Sequence, residues 1–367
     1  MRVLRDELAL SVGGITTALF AIFGSAWLAD LSHLLWFNLL FFWLFGVMLW
    51  LAFGVVRHAD GLATLLGEPL GTLILTLSVI SIEVVMISAV MLTGAENPTL
   101  ARDTLLAVLM IVLNGMLGFT LLLGGLRHGE QSYNLQGAAT YLAVIIPLAG
   151  LGVILPRYMP SAPGGQVTPL VAGWLIVVSA GLYGSFLWIQ TQRHSGFFLQ
   201  PTQSEDGETD ADLGHAPPRS LRYHAVLLPL TMLPIVLLAK KMAVLVDHGT
   251  ATLGAPQALG GFLVAILVLS PEALAAVKSA LANQLQRTMN IALGSTCSTI
   301  GLTIPAVLGI SLVTGKTVEL GLEPAEGHLL LITLLVAVVN FTSLRTNVLH
   351  GVVHIMLFLT YVVLIFD

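Results

Sequence analysis

The stretch SVISIEVVMIS, residues 78–88, sets one acid, Glu83, in the middle of an apolar run long enough to cross a membrane. A second stretch, LVLSPEALAAV, residues 267–277, does the same with Glu272. Aligned at their acids, GTLILTLSVISIE (71–83) and GGFLVAILVLSPE (260–272) share a Gly twelve residues before the Glu and a Ser two before it. The two copies lie 189 positions apart. At about 1.5 Å of rise per residue, twelve residues span roughly 18 Å of helix. Both acids therefore fall well inside a hydrocarbon core about 30 Å thick. A charged group there costs at least about 2.5 kcal/mol, so two acids at equivalent depth point to function.

The rest of the chain fits that setting. Of 367 residues, 56% are hydrophobic and 10% charged, with a mean hydropathy of +0.92. Soluble domains carry about 25% charged residues, so this is a polytopic membrane protein. The net charge of −5 offers nothing to a nucleic acid. The one cysteine, Cys297, excludes an internal disulfide. The basic start MRVLRDELAL leads into a long apolar segment without a clear cleavage site, which reads as a retained first span.

Eleven apolar segments are long enough to be spans: 8–29, 34–56, 70–92, 104–126, 137–155, 167–190, 224–246, 258–281, 290–313, 326–341 and 347–366. With the N-terminus in the cytoplasm, nine basic residues fall at cytoplasmic ends and five at outer ends, leaving Lys278 unassigned. That satisfies the positive-inside rule and sends the C-terminal Asp367 outside. Residues 191–223 are polar, with Glu205, Asp206, Glu208, Asp210 and Asp212 close together. They read as a solvated cytoplasmic linker, with cation sensing as the alternative. The expected architecture is all-α: a leading helix (1–33), a five-helix repeat (34–190), the linker (191–223) and a second five-helix repeat (224–367). Five helices per repeat make the two enter the membrane from opposite sides, the arithmetic of an inverted repeat.

Inverted repeats bring equivalent helices together near the midplane, so Glu83 and Glu272 are expected to face each other and take up protons or a cation. Pro271 has no N–H and frees the carbonyl of Leu267 as a further oxygen ligand. Ser81 and Ser270 either add hydroxyl oxygens or bond back to their own helices. Asn114, an isolated amide in the fourth span, either completes the site or pairs with a neighbouring helix.

These residues carry a resemblance. The chain resembles the cation/proton exchanger family of the calcium/cation antiporter superfamily, and within it the bacterial sodium–potassium/calcium–proton antiporters. That family carries Gly-Asn-Ala-x-Glu in each repeat; the matching pentads here are VISIE (79–83) and VLSPE (268–272). The glutamates match, while apolar residues replace the Gly and Asn. The change removes amide oxygens and leaves room for Na+ or K+ beside Ca2+. MNIALGSTCSTIGLTIP (289–305) resembles the family's Gly-Ser segment, which implies that Ser295 and Ser298 face the ion path. RTNVLHGVVH (345–354) resembles the start of the family's last span.

The resemblance implies a secondary antiporter exchanging Ca2+, Na+ or K+ for protons by alternating access in a bacterial inner membrane. It implies no cofactor and no partner beyond ions and lipid. A cation channel and an intramembrane enzyme are the alternatives. A channel would arrange its filter around an oligomeric axis, and an enzyme would need a nucleophile–base pair near the acids, which the sequence lacks. His350 and His354, four apart, have metal-ligand spacing but no HExxH around them, so packing is the simpler role. Glu68 and Pro69 suit a helix start, with a cytoplasmic gate as the alternative for Glu68; Lys240 and Lys241 are expected to snorkel outward; and His58 in HAD reads as a loop histidine, with pH sensing as the alternative.

Overall fold

In the computed structural model all eleven expected spans are helices. Residues 7–67, 70–93, 98–161, 163–201, 219–256 and 258–367 are described. Arg2, Arg5, Glu68, Pro69 and the acidic run 205–212 lie outside them. The helices are α1 (Leu8–Trp27), α2 (Leu34–Leu66), α3 (Leu70–Thr93), α4 (Leu100–His128), α5 (Leu135–Tyr158), α6 (Pro169–Arg193), α7 (Leu221–Leu253), α8 (Ala258–Leu281), α9 (Leu285–Thr314), α10 (Pro324–Asn340) and α11 (Val348–Ile365).

Local chemistry sets many of the ends. Asn134, Thr168, Ser220 and Asn347 cap α5, α6, α7 and α11 by accepting from first-turn N–H groups. Glu323 and Glu326 form a capping box around Pro324 at the start of α10. Gly254, at φ 60°, ends α7 in the left-handed conformation.

Two helices outrun expectation. The run 34–56 continues to Leu66 and 224–246 widens to Leu221–Leu253, giving α2 and α7 33 residues each. His58 is thus a buried helical residue rather than a loop one. No proline or glycine turn interrupts α2 until Gly67, at φ 65°. The flanks of the linker are also ordered. A 3-10 turn, Ser195–Phe198, buries Phe198 against Tyr141 and Phe186.

The connections show the inversion directly. Gln131 and Ser132, between α4 and α5, pair antiparallel with Thr346 and Arg345, between α10 and α11. On the opposite face Gln166, between α5 and α6, bridges Glu319, between α9 and α10. Each contact joins the third connection of one repeat to the fourth of the other. The face holding Gln131, the start of α7 and the ends of the linker is called the linker face below. At the centre, every residue from Leu100 to Met110 of α4 is buried.

Two of these helices change pitch at equivalent places. α4 becomes a π-helix over Ile111–Met116 and α9 over Thr299–Thr303. π turns insert one residue into the helical ladder and re-aim the side chains around it, which is why they concentrate at functional sites.

Candidate cation site

The π turn of α9 meets Glu83. Thr299 Oγ1 donates to Glu83 Oε2 at 2.8 Å, and Thr303 Oγ1 donates to Oε1 at 3.1 Å. Glu83 is 2% exposed, and both threonines are fully enclosed. One turn earlier on α9, Ser295 Oγ donates to Glu272 Oε2 at 2.7 Å. Glu272 is partly buried. Ser295, Thr299 and Thr303 are four residues apart, and such residues share one helix face at about 6 Å per step. Consecutive turns of α9 therefore hold both carboxyl groups. Glu83 is among the charged groups whose field reaches Glu272, and Asp60 of α2 is another.

This set is oxygen-rich: two carboxyl groups and three hydroxyls. Pro271 lies inside α8 and cannot donate to the Leu267 carbonyl, but no hydrogen bond among the described residues ties that carbonyl to the two acids. Hard cations take such ligands, Ca2+ with six to eight of them at about 2.3–2.6 Å. The same carboxylates also accept protons, so one site can exchange one for the other.

Not every expected residue joins it. Ser81 and Ser270 bond back to Leu77 O and Ile266 O, each at 2.5 Å. Ser298 donates to Ser295 O at 3.0 Å. The three hydroxyls satisfy their own helices, as serine does in apolar surroundings, and the structure does not bring them to the carboxyl groups. Asn114 pairs with neighbouring helices: Nδ2 donates to Thr333 Oγ1 at 2.9 Å, and Oδ1 lies 3.1 Å from His354 Nδ1. His354 is thereby engaged in helix packing. No three His, Cys, Asp or Glu side chains converge on a metal geometry among the described residues.

Thr299 and Thr303 escape the sequence reading, because a threonine in an apolar helix ordinarily bonds its own backbone. The signal was present in GSTCSTIGLT, 294–303, where hydroxyls recur every four residues.

The chain matches the family described as sodium/calcium exchanger protein over residues 36–192 and 223–366. It is 41% identical over 315 residues to the sodium-potassium/proton antiporter ChaA of Escherichia coli (strain K12), covering 86% of this chain and 85% of that protein. It is 39% identical over 320 residues to the putative ionic transporter y4hA of Sinorhizobium fredii, covering 87% and 86%. Its fold is similar to that of the Ca2+/H+ antiporter protein YfkE, with a TM-score of 0.74 at 15% identity over 98% of this chain and 99% of that one.

Proposed function

The chain belongs to the sodium/calcium exchanger family of membrane cation exchangers, and on that basis we propose that it exchanges Na+, K+ or Ca2+ for protons at a site shared by Glu83 and Glu272. The observation that carries this is the hydroxyl row of α9, which holds Glu83 through Thr299 and Thr303 and Glu272 through Ser295. A cation bound there is contacted by both repeats at once. Rocking one repeat against the other around that point turns the site from one membrane face to the other. Loss of the family's amide oxygens admits monovalent cations, in keeping with what the Escherichia coli relative is named for. The linker face is cytoplasmic in this reading, the membrane is the bacterial inner membrane, and the odd helix count sends the C-terminus outside.

The test is dye-reported collapse of a proton gradient in everted vesicles on adding NaCl, KCl or CaCl2 separately. Wild type should respond, and Glu83→Gln and Glu272→Gln should not. A full response in either variant removes that carboxylate from the site. Net current without coupled proton movement replaces the antiporter with a channel.

A further inference from the structure

Away from the glutamates, three helices meet at the linker face around two histidines. His58 of α2 is wholly buried and His224 of α7 nearly so. Their rings stand 5.3 Å apart, with Nδ1 facing Nδ1 at 3.1 Å. At that distance one proton lies between the two nitrogens. Glu7, at the start of α1, sets which ring carries it. Its Oε2 is 3.2 Å from His58 Nε2 and accepts the N–H there. Arg57 Nη2 approaches the same Nε2 at 3.3 Å but donates to Glu7 Oε2 at 2.7 Å. Tyr223 donates to Glu7 Oε1. With its proton on Nε2, His58 Nδ1 is an acceptor and His224 Nδ1 is the donor.

That assignment leaves His224 Nε2 a bare lone pair. The atom is buried and has no hydrogen-bond partner among the described residues. The His224 ring lies flat on Gly61, where a Cβ would sit 2.5–2.8 Å from its Cε1, Nδ1 and Nε2. Gly61 is thus a cradle that only glycine provides, with the ring Cε1 nearest the missing Cβ.

We propose that His58 and His224 form a second proton-binding site, separate from the glutamates, that clasps α7 to α1 and α2 when neutral and releases α7 when a proton is added. The incoming proton can go only to His224 Nε2, since the other three ring nitrogens are engaged. It creates an imidazolium whose new N–H is buried against Gly61 without an acceptor. The charged groups that reach the pair are Glu7 from α1, Arg57 from α2 and Arg219 just ahead of α7. Arg219 lies over the Tyr223 ring at 4.8 Å. α3 and α8 also pack on α2 and α7; α3 carries no charged residue besides Glu83, and α8 carries Glu272 and Lys278. Glu7, the carboxylate bonded to the pair, already holds Arg57 and Tyr223. A third positive charge in this pocket is relieved by swinging His224 off Gly61 into water. The start of α7 moves with it.

The clasp joins the two 33-residue helices that open the two repeats, so its release loosens one repeat against the other at one face. Acid at the linker face unlocks the pair and alkali restores it, independently of which cation occupies the glutamate site.

Hydrogen exchange on the purified full-length protein tests this without a transport assay, so it can fail independently of the proposed function. In wild type, protection of amides 224–228, corrected for intrinsic exchange, should fall about tenfold between about pH 8 and about pH 5.5. In His224→Gln, which cannot take the proton, protection should hold within about twofold over the same range. His58→Gln, which leaves His224 in place but removes its partner, should also flatten the pH response. An unchanged profile in wild type overturns the proposal, as does a wild-type fall in either variant.

Discussion

Asn114 and Thr303 stand 189 positions apart, the interval that separates Glu83 from Glu272, and each lies in the π turn of its helix. The two have diverged in use. Thr303 donates to Glu83, whereas Asn114 is tied to Thr333 and His354. The site is therefore asymmetric: Glu83, almost fully buried, is held by two hydroxyls, and Glu272, partly buried, by one.

The asymmetry predicts unequal effects of hydroxyl removal. A hydrogen bond to a charged group contributes about 1.5–3 kcal/mol. Thr303→Val keeps the shape but leaves Glu83 Oε1 without its donor. The cation KM should rise about tenfold, a change of about 1.4 kcal/mol. Thr299→Val should act similarly, and the double variant should behave like Glu83→Gln. Ser81→Ala, whose hydroxyl faces its own backbone, should leave the KM within about twofold. Cation titrations of the vesicle response check all four.

A glycine sets how closely α8 approaches α4. A Cβ on Gly261 would lie 2.8 Å from Thr104 N and 3.0 Å from Asp103 C, backbone atoms that cannot rotate aside. Gly261 precedes Glu272 by three helical turns and so shares its face. Gly261→Ala should push α8 off α4, lowering thermal stability in detergent by about 1–3 kcal/mol and weakening exchange more than expression. Gly260→Ala, whose Cβ would meet only the Val246 side chain at 3.1 Å, should be milder. A variant pair ranked the other way would show that the α4–α8 spacing does not position Glu272.

The contrast between neighbouring glycines shows where sequence reading stops. Gly260 was legible because it recurs with Gly71 ahead of the two acids, yet Gly261 makes the tight contact. Spans were legible because lipid demands about 20 apolar residues in a row and polar breaks end them. The two glutamates were legible because the same solvent makes a lone carboxylate costly. Thr299 and Thr303 were hidden because their partner lies 216 and 220 residues away, and a hydroxyl costs an apolar helix little. His58 was misplaced for the opposite reason. His58 reads as a loop residue between Arg57 and Asp60, but α2 continues through it, and Glu7 and His224 arrive from α1 and α7 to pair with Arg57 and His58.

Each acid-bearing helix is also held at its C-terminal end by the other repeat. Lys316 Nζ donates to Met91 O of α3 at 2.6 Å. On the linker face Gln131 Nε2 donates to Ala280 O of α8, and His128 Nε2 lies 2.9 Å from Leu281 O. A cation at a helix C-terminus also meets the favourable end of the dipole. Lys316→Met keeps the stem and removes the charge, so it should cost about 1–2 kcal/mol and lower the melting temperature. Lys316→Arg should recover most of that. Equal melting temperatures in wild type and Lys316→Met would mean the bond adds nothing to stability.

The linker-face ribbon makes a prediction about alkali. Tyr133, between Ser132 and the start of α5, is 1% exposed, and its hydroxyl donates to Ser343 O at 2.7 Å. Burial pushes its phenol above the usual tyrosine range. In the unfolded chain the phenol loses its proton near pH 10. Below that pH both states hold the proton, and the group adds no pH dependence. Above it the unfolded state ionises first and binds fewer protons than the folded state, so stability falls as pH rises. The melting temperature in detergent should therefore be level through neutrality and decline above about pH 10. Tyr133→Phe cannot ionise, so its decline should be shallower. It also loses the bond to Ser343, so it should start about 1 kcal/mol lower at neutral pH, and the two curves should converge as pH rises. Parallel curves would assign the alkaline loss to other groups and leave Tyr133 with its hydrogen bond alone.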